Sequence, residues 1–389
     1  MGKGSPSAVV GAGKGEIVEL YVHIPFCVKK CDYCDFLSGP ASREAQEAYV
    51  QALVREISLA GAAVREPITT VFIGGGTPSL LRPEQMGRIL EQMGASFSLV
   101  EEGEVTLEAN PGTLTKEKLA LYRRLGVNRL SLGLQSPEEE ELRLLGRIHT
   151  FRQFLDSFWM AREAGFSNIN VDLMGALPRQ SREGWRKNLR TVARLAPEHI
   201  SAYSLMVEEG TPFYERELEL PDEDTEYGMY EDTAEVLGEY GYRQYEISNY
   251  ALPGRECEHN IGYWRRTPYL GLGLGAASLV GNLRFSNTRD QGEYLRKSRE
   301  EGFPESIRQE RTLLSPSDQM AEYAFLGLRM TEGISLEGFR REFSRDFMDI
   351  YGPVVKKYSE MGLLLREGDR LFLSREGIHV SNQIMADFL

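Results

Sequence analysis

The chain has 389 residues, 41% hydrophobic and 26% charged, ordinary for a globular protein with one large α/β unit and a smaller companion. Its net charge of −13 leaves no basic excess to meet phosphate, which argues against a nucleic-acid partner. No apolar run approaches a membrane span, no secretory signal precedes the first expected strand, and Pro6 stands where a myristoylation site wants Ser or Thr. The expected location is the cytoplasm or the periphery of a membrane.

Residues 1–16, rich in Gly, Ser and Ala, read as a mobile tail. Within it, Gly11–Gly15 falls short of a phosphate loop, lacking both the spacing and the Ser or Thr after Lys14. The apolar run 17–24 predicts a strand closed by Pro25. Three of the four cysteines, Cys27, Cys31 and Cys34, follow at once in the spacing C-x3-C-x2-C. Thiols this dense in a reducing compartment suggest metal binding before disulfides. Structural zinc normally takes four ligands, so a three-thiolate zinc site would need a histidine such as His23; a redox dithiol is the other plain alternative. A [4Fe–4S] cluster held by three cysteines leaves one iron open to a ligand that is not protein. That spacing matches the radical S-adenosylmethionine (SAM) signature, in which the amino and carboxylate groups of SAM occupy the fourth iron.

Strand and helix then alternate. A helix over 42–64 leads to a strand at 70–73 that runs into Gly74-Gly75-Gly76-Thr77-Pro78. Glycines just past a strand let backbone approach a ligand, and three in a row exceed what a tight turn requires. Further helices are predicted near 83–97, 116–125, 137–145, 151–164 and 181–195, and strands at 104–109, 128–134, 168–174 and 199–205. Six strand–helix units predict an α/β fold with a parallel sheet, an open partial (β/α)6 barrel over 17–310. Glu108, Gln135 and Asp172 recur at strand ends, where a carboxylate and an amide suit ribose hydroxyls and an amino group, and Arg147 suits a carboxylate. Each alone would be an ordinary cap or surface group.

Beyond 206 the pattern loosens into an acidic loop, a helix near 226–240 and a strand at 242–248. The Gly-rich stretch 269–278 reads as a tight turn beside the sheet, since the βαβ context of a dinucleotide site is missing. The last segment, 311–389, predicts short helices, a hairpin turning at 367–369 and a final helix at 375–388. This C-terminal α+β domain is winged-helix-like, and its acidic setting suggests a lid or packing role rather than DNA binding.

The segments Y-V-H-I-P-F-C-x3-C-x2-C, G-G-G-T-P-S, E-A-N-P, S-L-G-L-Q-S, L-G-R-x-H and N-x-D-L-M-G-A-L-P occur in this order. Together they resemble the radical SAM branch that contains oxygen-independent coproporphyrinogen III oxidase and the HemW-type haem chaperones. The resemblance implies cluster ligation by Cys27, Cys31 and Cys34, and SAM contacts at Tyr21, Gly75, Gly76, Thr77, Glu108, Gln135, Arg147 and Asp172. Two features separate the relatives. The oxidase carries another cysteine two positions past the third ligand, where this chain has Phe36, and it has a longer N-terminal extension. His259-Asn260-x-x-Tyr263-Trp264 is similar to a haem-associated motif of the chaperones, with His259 as a candidate axial ligand and the aromatics as stacking surfaces. The alternative is that His259 and Asn260 tie a loop while Tyr263 and Trp264 fill the core. The resemblance therefore implies haem as a cargo and a haem-accepting apoprotein, perhaps respiratory, as partner. The electron donor and the role of Cys257 stay open, and propionate decarboxylation is the competing activity.

Overall fold

The computed structural model describes residues 18–389; the expected tail at 1–16 lies outside the described residues. Six strands follow the predicted order and pair in parallel, each with the next: β1 (Val18–Ile24), β2 (Ile68–Gly75), β3 (Leu99–Ala109), β4 (Arg129–Gln135), β5 (Ile169–Gly175) and β6 (His199–Ser204). The crossovers hold α1 (Arg43–Gly61), α2 (Pro83–Ser96), α3 (Lys116–Arg124), α4 (Glu139–Leu144), α5 (Phe151–Glu163) and α6 (Arg182–Ala193). Ser42, Thr115, Thr150 and Ser181 set four of the helix starts, each hydroxyl accepting from an N–H of the first turn.

The strands alternate in an informative way. Leu20, Val22 and Ile24 of β1, Val71 and Ile73 of β2, and Leu130, Leu132 and Leu134 of β4 are fully buried in the cluster shared with the helices. The residues between them, on the opposite face, are largely polar: Glu19 and His23, Thr70, Glu104 and Glu108, Arg129 and Ser131, Asn170 and Asp172, His199 and Ser201. A strand's period of two thus gives the sheet an apolar outer face and a polar inner one. Hydrogen bonds such as Asn170 to Ser131 (2.9 Å) and His199 to Asn170 (2.7 Å) knit that inner face across strands.

The sheet is larger than expected. Past β6, α7 (Glu223–Glu239) leads to β7 (Arg243–Glu246) and β8 (Asn249–Ala251), which extend it antiparallel beyond β6. After α8 (Glu258–Trp264), β9 (Tyr269–Leu272) pairs in parallel with β1, and β10 (Ala277–Val280), β11 (Leu283–Asn287), α9 (Gln291–Lys297) and β12 (Arg308–Leu313) carry the sheet to twelve strands. The stretch predicted as a tight turn is therefore a strand pair. Its glycines serve close approach: a Cβ on Gly271 would lie 2.1 Å from the Ala277 carbonyl oxygen, and Gly273 takes φ +98°.

The C-terminal part has its own apolar cluster around Phe339, Phe347, Leu371 and Ile384. It contains α10 (Pro316–Gly327), β13 (Ile334–Ser335), α11 (Leu336–Phe343), α12 (Phe347–Glu360), β14 (Leu364–Glu367), β15 (Arg370–Leu373), α13 (Arg375–His379) and α14 (Ser381–Ala386). The expected hairpin is present, with β13 added as a third strand. Two differences stand out: α12 begins a full two turns before the predicted helix, capped by Asp346, and the final helix is split at Val380. The boundary expected at 310/311 falls inside β12, so we place it after Leu313. Among the described residues no helix is long and apolar enough to cross a membrane.

Candidate functional site

The C-terminal ends of the parallel strands converge on a cavity of about 330 Å³, lined among others by Cys27, Cys31, Cys34, Gly75, Gly76, Glu108, Gln135, Arg147 and Asp172. Nine of the fifteen residues singled out from sequence are thus brought together at one site. The three thiols are free, and the loop carrying them is folded back by hydrogen bonds from Cys27 N to Gly39 O (3.0 Å) and from Asp32 N to Leu145 O (3.1 Å). Gly76 lies against that loop: a Cβ there would sit 2.7 Å from the Phe26 carbonyl oxygen and 3.0 Å from Cys27 Sγ.

Arg147 follows α4 through Gly146 (φ +73°), a turn glycine whose Cβ would meet Asp32 at 2.6 Å. Its Nη2 donates to Asn110 Oδ1 (2.7 Å) and Gly133 O (2.5 Å), while Nη1 stands 3.5 Å from Cys31 Sγ. The guanidinium therefore places positive charge beside a thiol, and only its buried Nε lacks a partner. At the end of β4 the register slips, and Gln135 adopts φ +72°, unusual for a residue with a Cβ. That turn brings its Oε1 to the Tyr203 hydroxyl at 2.7 Å.

Glu108 and Asp172 are the acidic pair of the cavity. Glu108 Oε2 accepts from Gly75 N at 3.0 Å, and burial, reinforced by the charge of Asp172, pushes its carboxyl up to about 8. Burial also raises Asp172, whose Oδ1 accepts from Asn170 at 2.7 Å. Burial of two carboxyls at one opening disfavours their charged forms until a cation arrives, which suits the pocket to a positively charged ligand. The residues fit the expected groups: Cys27, Cys31 and Cys34 would hold a [4Fe–4S] cluster, and Glu108, Gln135, Asp172 and the Gly75–Gly76 backbone would hold SAM beside it. A cluster bound there would supply one-electron chemistry beside SAM.

The remaining predicted residues lie elsewhere. Thr77 is buried under the cysteine loop, where its hydroxyl takes a bond from Asn110 Nδ2 (2.7 Å) and reaches Cys27 Sγ at 3.7 Å. Tyr21 does not line the cysteine cavity. It belongs to a second cavity of about 340 Å³ with Tyr263, Trp264, Tyr269, Arg266 and Arg284. Its hydroxyl donates to His23 Nδ1 (3.0 Å), while His23 Nε2 donates to Leu37 O (2.9 Å). Both nitrogens of His23 are thus engaged, so it is not free to complete a three-thiolate zinc site.

His259 also differs from expectation. It is fully buried on α8, with Nδ1 2.7 Å from Thr70 Oγ1 and Nε2 3.0 Å from the Tyr263 hydroxyl. Burial lowers its basicity to about 3, and it lines neither cavity. In this arrangement it is a structural link rather than an open iron ligand, and Asn260, half-buried beside it, lines neither cavity either. Cys257 is buried 3.4 Å from Glu104 Oε1, and burial pushes its thiol well above the ordinary range, so it is an inert thiol.

Sequence reasoning missed Tyr33, Asn110, Ser131 and Tyr203, which line the cysteine cavity. The period of two in His199-Ile200-Ser201-Ala202-Tyr203 was the available signal for Tyr203. Tyr33 and Asn110 sit in loops, where no period exists.

Comparison with known proteins bears on this geometry directly. Residues 21–192 match the Radical SAM superfamily, and residues 314–380 match the HemN C-terminal domain. The chain is 35% identical over 373 residues to the "Heme chaperone HemW" of Lactococcus lactis, covering 95% of this chain and 96% of that protein. It is 36% identical over 375 residues to the namesake from Bacillus subtilis, covering 95% and 98%.

The chain belongs to the HemW family of radical SAM proteins.

The HemW of Escherichia coli is 42% identical over 296 residues, covering 73% of this chain and 78% of that one. Among solved structures, the Escherichia coli coproporphyrinogen III oxidase HemN superposes with a TM-score of 0.84 at 23% identity, covering 96% and 90%, which shows a shared fold. Membership of the superfamily implies a [4Fe–4S] cluster and SAM, in keeping with the donor set of the first cavity.

Proposed function

We propose that the protein is a haem chaperone: it holds a [4Fe–4S] cluster and SAM in the cysteine cavity, binds haem at the second cavity, and passes haem to an acceptor apoprotein. The observation that carries the haem assignment is the lining of that second cavity. Tyr21, Tyr263, Trp264 and Tyr269 line it with aromatic surface suited to an apolar macrocycle, and the Trp264 indole N–H is buried without a partner among the described residues. Arg266 and Arg284 stand at the same opening, both now bound to the carboxylate of Glu322 at 3.0 and 2.6 Å, so the site already receives carboxylate where haem propionates would come. The HemW relatives, named as heme chaperones, support the reading along nearly the whole chain.

The second reading, oxidative decarboxylation of coproporphyrinogen, is favoured by the completeness of the cysteine cavity. Against it stands Phe36, exposed where the oxidase is expected to carry a further cysteine. An anoxic titration with haem, followed by the Soret band, tests the proposal alongside an assay for protoporphyrinogen formation with SAM and reductant. Stoichiometric haem binding that is weakened about tenfold or more by Tyr263→Ala with Trp264→Ala supports it. Sustained protoporphyrinogen formation overturns it.

A further inference from the structure

The wall of the aromatic cavity is shared with the C-terminal part of the chain. Leu326 of α10 lines it, and Glu322, one turn earlier on the same helix, reaches the two arginines at its opening. Just past the helix, the Arg329 guanidinium lies 4.2 Å from the centre of the Trp264 ring. Glu322 Oε2 accepts from Arg266 Nε at 3.0 Å, its Oε1 stands 2.6 Å from Arg284 Nη1, and Glu342 accepts from Arg266 Nη1 at 3.1 Å. Two guanidiniums thus meet two carboxylates, and the group is neutral before any ligand arrives. The Glu322 and Arg266 side chains are each only 6% exposed, whereas Arg284 and Glu342 are far more open. Glu322 itself does not line the cavity, and both guanidiniums keep N–H groups with no partner among the described residues.

From this we propose that Glu322 sets how tightly the cavity holds its cargo: it competes with haem propionates for Arg266 and Arg284, and so keeps haem releasable. This deepens the haem reading and rests on haem binding at the aromatic cavity. A carboxylate fixed against both guanidiniums cancels part of the field that would draw a propionate to them. The same contact favours departure. A buried guanidinium stripped of its partner is costly, and here Arg266 stays paired when the cargo leaves. Merely tying α10 to the sheet is a role that suits Glu322 less well, because other contacts already hold the two parts together: Arg265 to Glu332 at 2.8 Å, and Thr331 N to Tyr245 O at 3.0 Å.

The test uses the anoxically reconstituted full chain, with ferric haem and its dimethyl ester, which lacks free carboxylates, as paired probes. Glu322→Gln keeps the side-chain volume and an acceptor for Arg266 but removes the charge. The expected result is haem held about five- to tenfold more tightly than by the parent, and lost more slowly by a similar factor to excess apomyoglobin. Ester affinity should change by less than about twofold, since the ester brings no anion to the arginines. Glu342→Gln, at the more open carboxylate, should tighten haem by a smaller factor. Equal shifts for haem and ester would make Glu322 a packing residue. Weaker haem binding with unchanged ester would make it the residue that aims the arginines. Either result overturns the proposal, and so does haem affinity that ignores Glu322 while still depending on Tyr263 and Trp264. Haem affinity indifferent to Tyr263→Ala with Trp264→Ala removes the cavity reading itself, and this proposal with it.

Discussion

Thr70 Oγ1 lies 2.7 Å from Nδ1 of His259, across 189 positions of sequence. That bond ties α8 to β2 at the inner face of the sheet, where Glu104 Oε1 accepts from the His259 backbone N–H at 3.3 Å and Phe72 stacks on the imidazole at 5.3 Å. A side chain so fully partnered contributes to stability first.

His259→Ala is accordingly expected to lower unfolding free energy by roughly 2–4 kcal/mol, through a cavity and two hydroxyls left without a partner. The haem-bound Soret maximum should stay where it is in the parent. Denaturant unfolding and an optical spectrum of the same sample check this. A shifted Soret band with unchanged stability would make His259 an iron ligand after all.

The inner face also sets a pH dependence. Burial, with the charge of Glu104 adding to it, raises Glu19 to about 8, and Glu108 stands at about 8 as well. A carboxyl raised from its ordinary 4.5 contributes stability that is present below 4.5 and lost as pH rises toward 8. His149 and His259, lowered by burial to about 3 from 6.5, act in the opposite sense, and their gain is complete by pH 6.5. Between 6.5 and 8 raised carboxyls, Glu19 and Glu108 among them, set the slope. Stability of the ligand-free protein should therefore fall across that interval, by at most about 1.4 kcal/mol per pH unit for each carboxyl. Glu19→Gln should flatten the slope. Stability that rises over the same interval would show these groups to be ionised in the fold.

Glu108 makes a separate prediction at the cavity. A cationic ligand must ionise it, so SAM binding should release protons below pH 8 and tighten as pH approaches 8. Glu108→Gln should weaken SAM by about ten- to hundredfold while iron content is retained. Calorimetry in buffers of different ionisation heat reads both effects. Normal affinity in the variant would reduce Glu108 to a support for the Gly75 backbone.

Replacing Cys27, Cys31 or Cys34 by Ala should abolish the brown iron–sulfur chromophore. Arg147→Ala should leave the ligands in place but loosen the loop, since the link from Cys31 to Asn110 and Gly133 is cut. Iron lost faster to a chelator from the Arg147 variant than from the parent is the expected reading; equal rates would make the link incidental.

The parallel core was legible because each of its strands carries a run of apolar residues at alternate positions, and the cavity because Gly75, Glu108, Gln135 and Asp172 stand where those strands end. The flanking strands were not. β9 and β10 are short; β9 bears a glycine and is a strand because the edge of β1 lies beside it, a contact between residues some 250 positions apart, Leu20 with Leu270, and β10 in turn pairs with β9. The same limit applied to His259. Its motif announced an iron ligand, but the hydroxyls that occupy its nitrogens come from β2 and from one turn along α8, and only folding brings Thr70 there. Tyr21 was named as a SAM contact by the resemblance alone, yet it lines the other cavity.

On the proposed function, haem held at the aromatic cavity is cargo. The direct measurement is transfer: haem-loaded protein is mixed anoxically with a haem-free b-type cytochrome, and the acceptor's spectrum is followed in time. Transfer faster than from free haem in buffer is expected, and its loss when Tyr263 and Trp264 are both replaced by Ala. Transfer at the rate of free haem, identical for parent and variant, would contradict it.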